Sequence, residues 1–372
     1  MANAAYSRIM KRFNNVGGSE LAATILDVAQ RAGVSVGTVS YVLNGTRTVS
    51  ERRRTMVLEA IKALNYVPNS LAQALRRGQS RLIGICAPDN FNAFFAQLTQ
   101  TLEGIASHHG YEVVQVYSHS DPVIEQRRLA ALLAYQLSGL LFIPSATTGP
   151  SFDLLAQSRV PTVILDRATE RDFYDEVTID NHAAMEDVAG RLIGLGHRNL
   201  LFIVSFPHLV TTRQRIEAFH RTAATADAAV TTEVMLRGAD EREFAGRLAE
   251  VLARPDRPTA LIASNTLVAL WMMRALQPLG LHWPRDLSLL IFDHPDWADI
   301  VQPRLAVVEH PTTEMATTAW EMLEHRMQNE TGPRRQTLLR ARLIDAPSLG
   351  PPPDRLPSPR RQSRIAMETW TA

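Results

Sequence analysis

The stretch TILDVAQRAGVSVGTVSYVLNG (residues 24–45) decides how the front of this 372-residue chain is read. Thr24 is a good helix N-cap, and Thr24-x-x-Asp27 has the spacing of a capping box. Ile25, Val28, Ala29 and Ala32 then stripe one face of a helix. Gly33 is free to take the positive φ that a tight turn demands. Ser35 is expected to cap a second helix that stops at Asn44-Gly45. At about 100° per residue, Val39, Val42 and Leu43 share one face, and Gly37, Ser40, Tyr41 and Asn44 the opposite one. The first set can pack on the first helix while the second faces outward. Ser50 is expected to cap a third helix, whose Val57, Ala60, Ile61 and Leu64 close a small core. Two helices around a glycine turn, with a third behind them, form a helix-turn-helix, which places its second helix in the DNA major groove. A generic helical hairpin is the plainer alternative.

Charge and the following segment weigh against that alternative. Between Thr24 and Gly78 stand eight bases (Arg31, Arg47, Arg52, Arg53, Arg54, Lys62, Arg76, Arg77) against three acids (Asp27, Glu51, Glu59). A local basic excess of this kind suits phosphate contacts. Pro68 ends the third helix, and Asn69 can cap a short helix over 70–77. On it Leu71, Ala74 and Leu75 form an apolar ridge with no core nearby. Flanked by Arg76 and Arg77, such a ridge suits insertion into a minor-groove step, which unstacks and kinks the duplex. Otherwise it is a linker helix.

Overall composition is that of a globular protein, with 45% hydrophobic and 21% charged residues and a net charge of +1. The lone cysteine, Cys86, lies in the apolar run LIGICA and cannot form an internal disulfide, which fits a reducing compartment. No apolar run reaches membrane-spanning length, and no apolar segment follows Arg8, Lys11 and Arg12 as a signal peptide requires. A cytoplasmic protein without membrane contact is expected.

From residue 80 onward short apolar runs alternate with amphipathic stretches. Strands are expected at 82–87, 113–117, 139–143, 162–166, 200–204, 260–263 and 287–292. Helices are expected at 93–108, 122–137, 213–224, 241–253 and 265–279. This alternation implies parallel sheets covered by helices, and the length implies two subdomains with a cleft between them. Residues 1–23 read as a flexible tail. Residues 346–372, with six prolines and four arginines, read as a disordered one.

Chemistry motifs are absent. The histidines have no metal-ligand spacing, and no GxSxG, P-loop or strand-following GxGxxG occurs. No catalytic residue, metal or cofactor is expected, and the chain does not read as an enzyme.

Five strings together resemble the LacI/GalR family of bacterial transcription regulators: residues 24–45, VSERRRTMVLEAIKALNYVPNSLAQALRRG (49–78), SRLIGICAPDNFNAFFAQL (80–98), LIGLGHRNLLFI (192–203) and IFDHPDWADIVQPRL (291–305). The first two are the most specific. The resemblance runs from about Thr24 to Ser348. It implies an α/β fold class with an N-terminal all-α helix-turn-helix DNA-binding domain and a two-subdomain, periplasmic-binding-protein-like α/β sensor. The expected domains are a helix-turn-helix at 24–68, a hinge helix at 69–79 and a sensor at 80–345. The sensor divides into 80–180 plus 311–338, and 181–310 plus 339–345.

The resemblance also implies sites. Val36, Gly37 and Tyr41 take the positions that choose the operator, and relatives resemble TVSRVLNG, with Arg in place of Tyr41. Arg bonds guanine bidentately and Tyr cannot, while Val36 and Gly37 offer little hydrogen bonding, so methyl contacts and DNA shape carry more of the readout. Thr24, Ser35, Thr38, Ser40 and Asn44 take phosphate-contact or helix-start positions. Asn69, Ala74 and Leu75 belong to the hinge, with Leu75 as the wedge. The implied effector set is Asp89, Asn92, Phe94, Phe95, Arg215, Asn265, Asp293, Trp297 and His310, chemically apt for a polyol. This chain has NAFF where NPFF is usual, His310 where Gln is frequent, Thr266 for an Asp, and Ile291 and Ala218 for glycines.

The expected protein is thus a homodimeric repressor on a pseudo-palindromic double-stranded operator, controlled by a small carbohydrate-like effector. The alternatives are a solute-binding protein of a transport system, an enzyme on an α/β scaffold, and a DNA-binding regulator whose sensor is degenerate.

Overall fold

The computed structural model describes residues 23–44, 47–66, 80–89, 92–169, 173–328 and 332–353. The chain divides into two compact units, residues 1–80 and 81–372. Residues 1–22 of the tail expected at 1–23, the hinge residues Asn69, Ala74 and Leu75, and residues 354–372 lie outside the described residues.

The first unit contains α1 (Ile25–Ala32), α2 (Val36–Asn44) and α3 (Glu51–Ala63). Thr24 and Asp27 form the full capping box: the Thr24 hydroxyl accepts from the Asp27 N–H, and the Asp27 carboxylate accepts from the Thr24 N–H at 2.7 Å. Gly33 closes α1 at φ 61°, its N–H bonding the carbonyls of Ala29 and Gln30. Ser35 Oγ accepts from the Thr38 N–H at 3.2 Å and so starts α2. Ser50 departs from expectation, since its hydroxyl makes no capping bond. Glu51 instead places a negative charge at the electropositive start of α3. Val28, Ala29, Ala32, Val39, Val57 and Ala60 form the buried core.

The second unit holds two six-stranded sheets. The first comprises β1 (Leu82–Ala87), β2 (Glu112–Tyr117), β3 (Gly139–Phe142), β4 (Thr162–Leu165), β5 (Asp175–Ile179) and β11 (Gln336–Leu339). Its order is β11-β5-β4-β3-β1-β2, all parallel. The second comprises β6 (Asn199–Val204), β7 (Thr231–Leu236), β8 (Ala260–Ala263), β9 (Ser288–Phe292), β10 (Ala306–Glu309) and β12 (Arg342–Ile344). Its order is β12-β10-β9-β8-β6-β7, parallel except for the antiparallel edge strand β12. Between the strands run α4 (Ala93–His108), α5 (Pro122–Leu133), α6 (Pro150–Ser158), α7 (Asn181–Gly194), α8 (Val210–Ala224), α9 (Glu241–Leu252), α10 (Thr266–Leu279), the short α11 (Trp297–Ile300) and α12 (Thr312–Met327).

The chain passes between the sheets three times: after β5, between β10 and α12, and between β11 and β12. In both sheets the strand order reverses beside the first strand of the set. That switch point is where open α/β sheets collect ligands, outside the carboxyl ends of the strands.

Order continues past the expected boundary at residue 345. Ser348 is fully buried. Its hydroxyl donates to the Leu289 carbonyl at 2.7 Å and accepts from the Ala306 N–H at 2.8 Å. The Gly350 carbonyl lies 2.9 Å from His197 Nε2. Buried polar partners waiting in the second sheet thus hold a proline-rich segment that could not form a core of its own. Burial drives the His197 pKa down to about 4, so the ring is neutral in this role.

Candidate functional site

In the first unit, Val39 turns fully inward from α2 while Gly37 is exposed and Ser40 and Tyr41 are half-buried. The outward face is therefore the polar one. Val36 differs from expectation by packing partly against the small core, which leaves only part of its methyl surface to solvent. The hydroxyls of Ser35 and Thr38 lie 3.0 Å apart, and that of Thr24 donates to Asp27 Oδ2 at 2.7 Å. Asn44 ends the α2 backbone. Arg47, one of the bases counted in the local basic excess, places its guanidinium 5.2 Å over the Tyr41 ring, a contact that sequence reading did not foresee. It places a fixed cation at the edge of the exposed face.

In the second unit a cavity of about 620 Å³ collects residues from strand ends of both sheets. Eight of the nine expected effector residues line it: Asp89, Asn92, Phe94, Phe95, Arg215, Asn265, Asp293 and His310. Trp297 does not; it packs partly buried against the core of the second sheet. Ser205, Phe206, Asp166, Arg167 and Arg237 also line the cavity and were not read from sequence. Each stands within two residues of a strand's carboxyl end, which is the signal that could have found them.

The polar groups are closely interlocked. Asn92 caps α4, its Oδ1 accepting from the Phe94 N–H at 2.9 Å. Its Nδ2 donates across the cleft to Asp293 Oδ2 at 3.0 Å. The same carboxylate accepts from the Thr266 N–H at 3.2 Å. Asp293 holds this position with φ 81°, a left-handed conformation uncommon for a non-glycine residue and typical of functional sites. Arg215 donates to Asn181 Oδ1 at 2.7 Å and lies 4.2 Å over the Phe292 ring. Arg215 and Asp293 thus share the cleft while each is held by other partners. Arg167 donates to the Pro144 carbonyl at 3.0 Å and to Ser120 Oγ at 3.1 Å, between the rings of Phe95 and Phe206.

Burial dominates the electrostatics. It raises the Asp293 pKa to about 6 against the opposing pull of Asn92 and Arg215. It raises Asp166 and lowers Arg167 and Arg215 from their ordinary values. It also drives His310 down to about 3, with Arg215 adding to the effect. His310 is therefore neutral, and its 3.6 Å approach to Asp293 is not an ion pair. Its ring stacks on Phe94 at 4.4 Å, and its buried Nδ1 has no hydrogen-bond partner. A buried polar atom left unsatisfied is costly, so this nitrogen marks where a ligand group or water is wanted.

A neighbouring cavity of about 770 Å³ lies beyond Phe94 and His310. Its His294 is already bonded to Glu309 at 3.0 Å and to Asp299 at 2.9 Å. Among the described residues, no cluster of three or more His, Cys, Asp or Glu is arranged to hold a metal, and no helix is long and apolar enough to cross a membrane.

Residues 24–69 match the profile of bacterial regulatory proteins of the lacI family, and residues 189–348 match a periplasmic binding protein-like domain. The HTH-type transcriptional repressor PurR of Photobacterium profundum is 30% identical over 315 residues, covering 84% of this chain and 94% of that protein. The lac repressor dimer bound to operator and the anti-inducer ONPF shares the fold at 24% identity, with a TM-score of 0.75 over 88% of this chain and 98% of that one. A transcriptional regulator CelR–cellobiose complex is 25% identical, with a TM-score of 0.65 over 88% of this chain and 99% of that one. With its capped helix-turn-helix, its paired parallel sheets and a repressor relative aligned along most of its length, the chain belongs to the LacI family of bacterial DNA-binding transcriptional regulators.

Proposed function

We propose that this regulator is a repressor whose hold on a pseudo-palindromic operator is set by a small carbohydrate-like effector in the 620 Å³ cleft. The observation that carries the effector reading is the His310 Nδ1, buried without a partner beside the Asp293 carboxylate in a cavity built from both sheets. A ligand hydroxyl both donates and accepts, so it can bridge these two groups. Arg215 and Asn92 supply donors around it, and Phe94, Phe95 and Phe206 cover apolar C–H faces. The neighbour solved with cellobiose supports the ligand class.

For DNA, Gly37, Ser40 and Tyr41 face the major groove, and Thr24, Ser35, Thr38 and Asn44 fix register on phosphates. Two copies read the two half-sites, as operator symmetry requires. Effector binding changes operator affinity through a coupling of about 1–3 kcal/mol, reciprocal between the two ligands. The test is operator selection from a random duplex library, followed by anisotropy titration at two salt concentrations with and without a sugar panel. We expect salt-sensitive binding that at least one sugar or sugar derivative shifts about tenfold. Affinity that no compound moves would leave a DNA-binding protein with a degenerate sensor.

A further inference from the structure

The three arginines of the cleft are not equivalent. Arg167 lies in the field of Asp166, Glu125 and Asp89, and Arg215 in that of Asp166 and Asp293. Arg237, just after β7, has no carboxylate within ion-pair distance among the described residues. Its guanidinium lies over the Trp271 ring at 4.2 Å. Its Nε donates to Ser205 Oγ at 3.2 Å. Both terminal nitrogens remain available in the cavity wall.

The groups next to it are also donors. Asn265 Oδ1 caps α10, accepting from the Val268 N–H at 3.0 Å. That orients its Nδ2 toward Ser205 Oγ at 3.2 Å. Ser205 therefore accepts from two neighbours and has its own proton left to donate. Stacking on Trp271 fixes the plane of the Arg237 fork before any ligand arrives.

We infer that the molecule taken by this cleft carries a phosphate or carboxylate group, held by Arg237, Ser205 and Asn265. The inference rests on reading the cleft as the effector site. A neutral hydroxyl would answer only part of this set, because its oxygen accepts at most two of these donors and carries no charge to offset the guanidinium. An oxyanion accepts from all three residues and bonds a guanidinium in bidentate fashion. Ligand entry strips water from Arg237, a step that is unfavourable unless an opposite charge replaces it. The polyol end of the ligand then falls to Asn92, Arg215, Asp293 and His310, where acids and bases are balanced.

Titration calorimetry on the full-length protein tests this with matched compounds: glucose against gluconate and glucose 6-phosphate, ribose against ribose 5-phosphate, and inorganic phosphate as the minimal probe. At least one charged compound should bind about tenfold or more tighter than its neutral partner, and which one does so separates phosphate from carboxylate. Arg237→Met should remove that preference with unchanged melting temperature, and Arg237→Lys should restore part of it. Ser205→Ala, which keeps the Trp271 stack, should weaken the charged compound alone. Asp293→Asn should weaken charged and neutral compounds alike. Neutral sugars binding as tightly as their charged partners would overturn the inference while leaving the effector site standing. A charge preference that survives in Arg237→Met and Ser205→Ala would put the anion elsewhere and overturn it too. Binding of none of the compounds at millimolar concentration would remove both the inference and the effector reading beneath it.

Discussion

The two units of this protein place their functional groups in opposite ways. In the small unit the described candidate residues fall within positions 24–44, mostly exposed or half-buried, on a core of six buried side chains. In the large unit they run from Asp89 to His310, are mostly withdrawn from solvent, and come from strand ends of two sheets. The physics of the two ligands accounts for the contrast. A duplex is larger than the module that reads it, so reading groups must project outward. A small effector is discriminated only where water is excluded and donors are fixed, so its groups must be gathered inward from many strands. The largest effect should come from breaking the small unit at its core. Val39 is fully buried. Val39→Asp would put an unpaired carboxylate there at a cost on the order of 4 kcal/mol, comparable to what so small a core supplies. Calorimetry should show the small unit's transition lost, operator binding abolished, and the large unit's melting and sugar binding unchanged. Loss of both transitions would mean that the units do not behave separately.

The converse experiment acts on the large unit. Arg215→Ala removes a buried guanidinium that bonds Asn181 and covers Phe292. Effector affinity should fall about a hundredfold or more, in line with roughly 3 kcal/mol for a lost buried charged contact. Operator affinity without effector should stay within about twofold. A variant that still responds normally would show that Arg215 faces the cleft without serving it.

The same contrast explains what the sequence disclosed. The small unit depends on short-range rules, such as Thr24 with Asp27, Gly33 at φ 61° and Ser35 with Thr38, so its helices were legible from spacing. Ser50 misled because the residue type favours a cap that the local backbone does not use. In the large unit the buried strands β1, β3, β6, β8 and β9 announced themselves as apolar runs. Strand β5 did not, because DEVTI opens with two acids. They are buried only because Arg326 and Arg335 bind Asp175 and Arg334 binds Glu176, from more than 140 positions away. Asp166, Arg167 and Arg237 were missed because residue type alone does not tell a buried charge from a solvated one; their place just after the carboxyl ends of β4 and β7 was the signal to follow. Trp297 was over-read, since an aromatic beside Asp293 in sequence turns instead to the neighbouring core. The segment 346–353 looked disordered because its partners, His197, Ser288 and Leu289, lie far away in the chain.

Asp293 tests whether burial, rather than a fixed charge pair, governs the large unit's site. Its pKa is raised to about 6 from an ordinary value of 3.8. Over that interval the folded protein binds the proton and the unfolded chain releases it. Folding stability should therefore decline as pH rises from about 4 to about 6 and level off above. Relative to Asp293→Asn, which does not titrate, the difference should be on the order of 1–3 kcal/mol. Denaturant titrations across this range measure it. A slope of the opposite sign would mean that Arg215 and Asn92 outweigh desolvation.

The smallest effect concerns whether a single hydroxyl serves the fold or the DNA. Thr24 Oγ1 accepts from the Asp27 N–H at 3.3 Å and donates to Asp27 Oδ2 at 2.7 Å. Thr24→Ala should cost the small unit about 1 kcal/mol, with Thr24→Ser recovering most of it. At temperatures where the variant stays folded, operator affinity should fall several-fold, and by the same factor on unrelated duplexes, because a phosphate contact carries no base information. Thr24→Ser should recover this loss as well, since the hydroxyl needs only to turn from Asp27 to a phosphate oxygen. Unchanged affinity would reduce Thr24 to a helix cap. A loss that varied with the sequence of the duplex would make it a base-reading residue and extend the reading surface from α2 back to the start of α1.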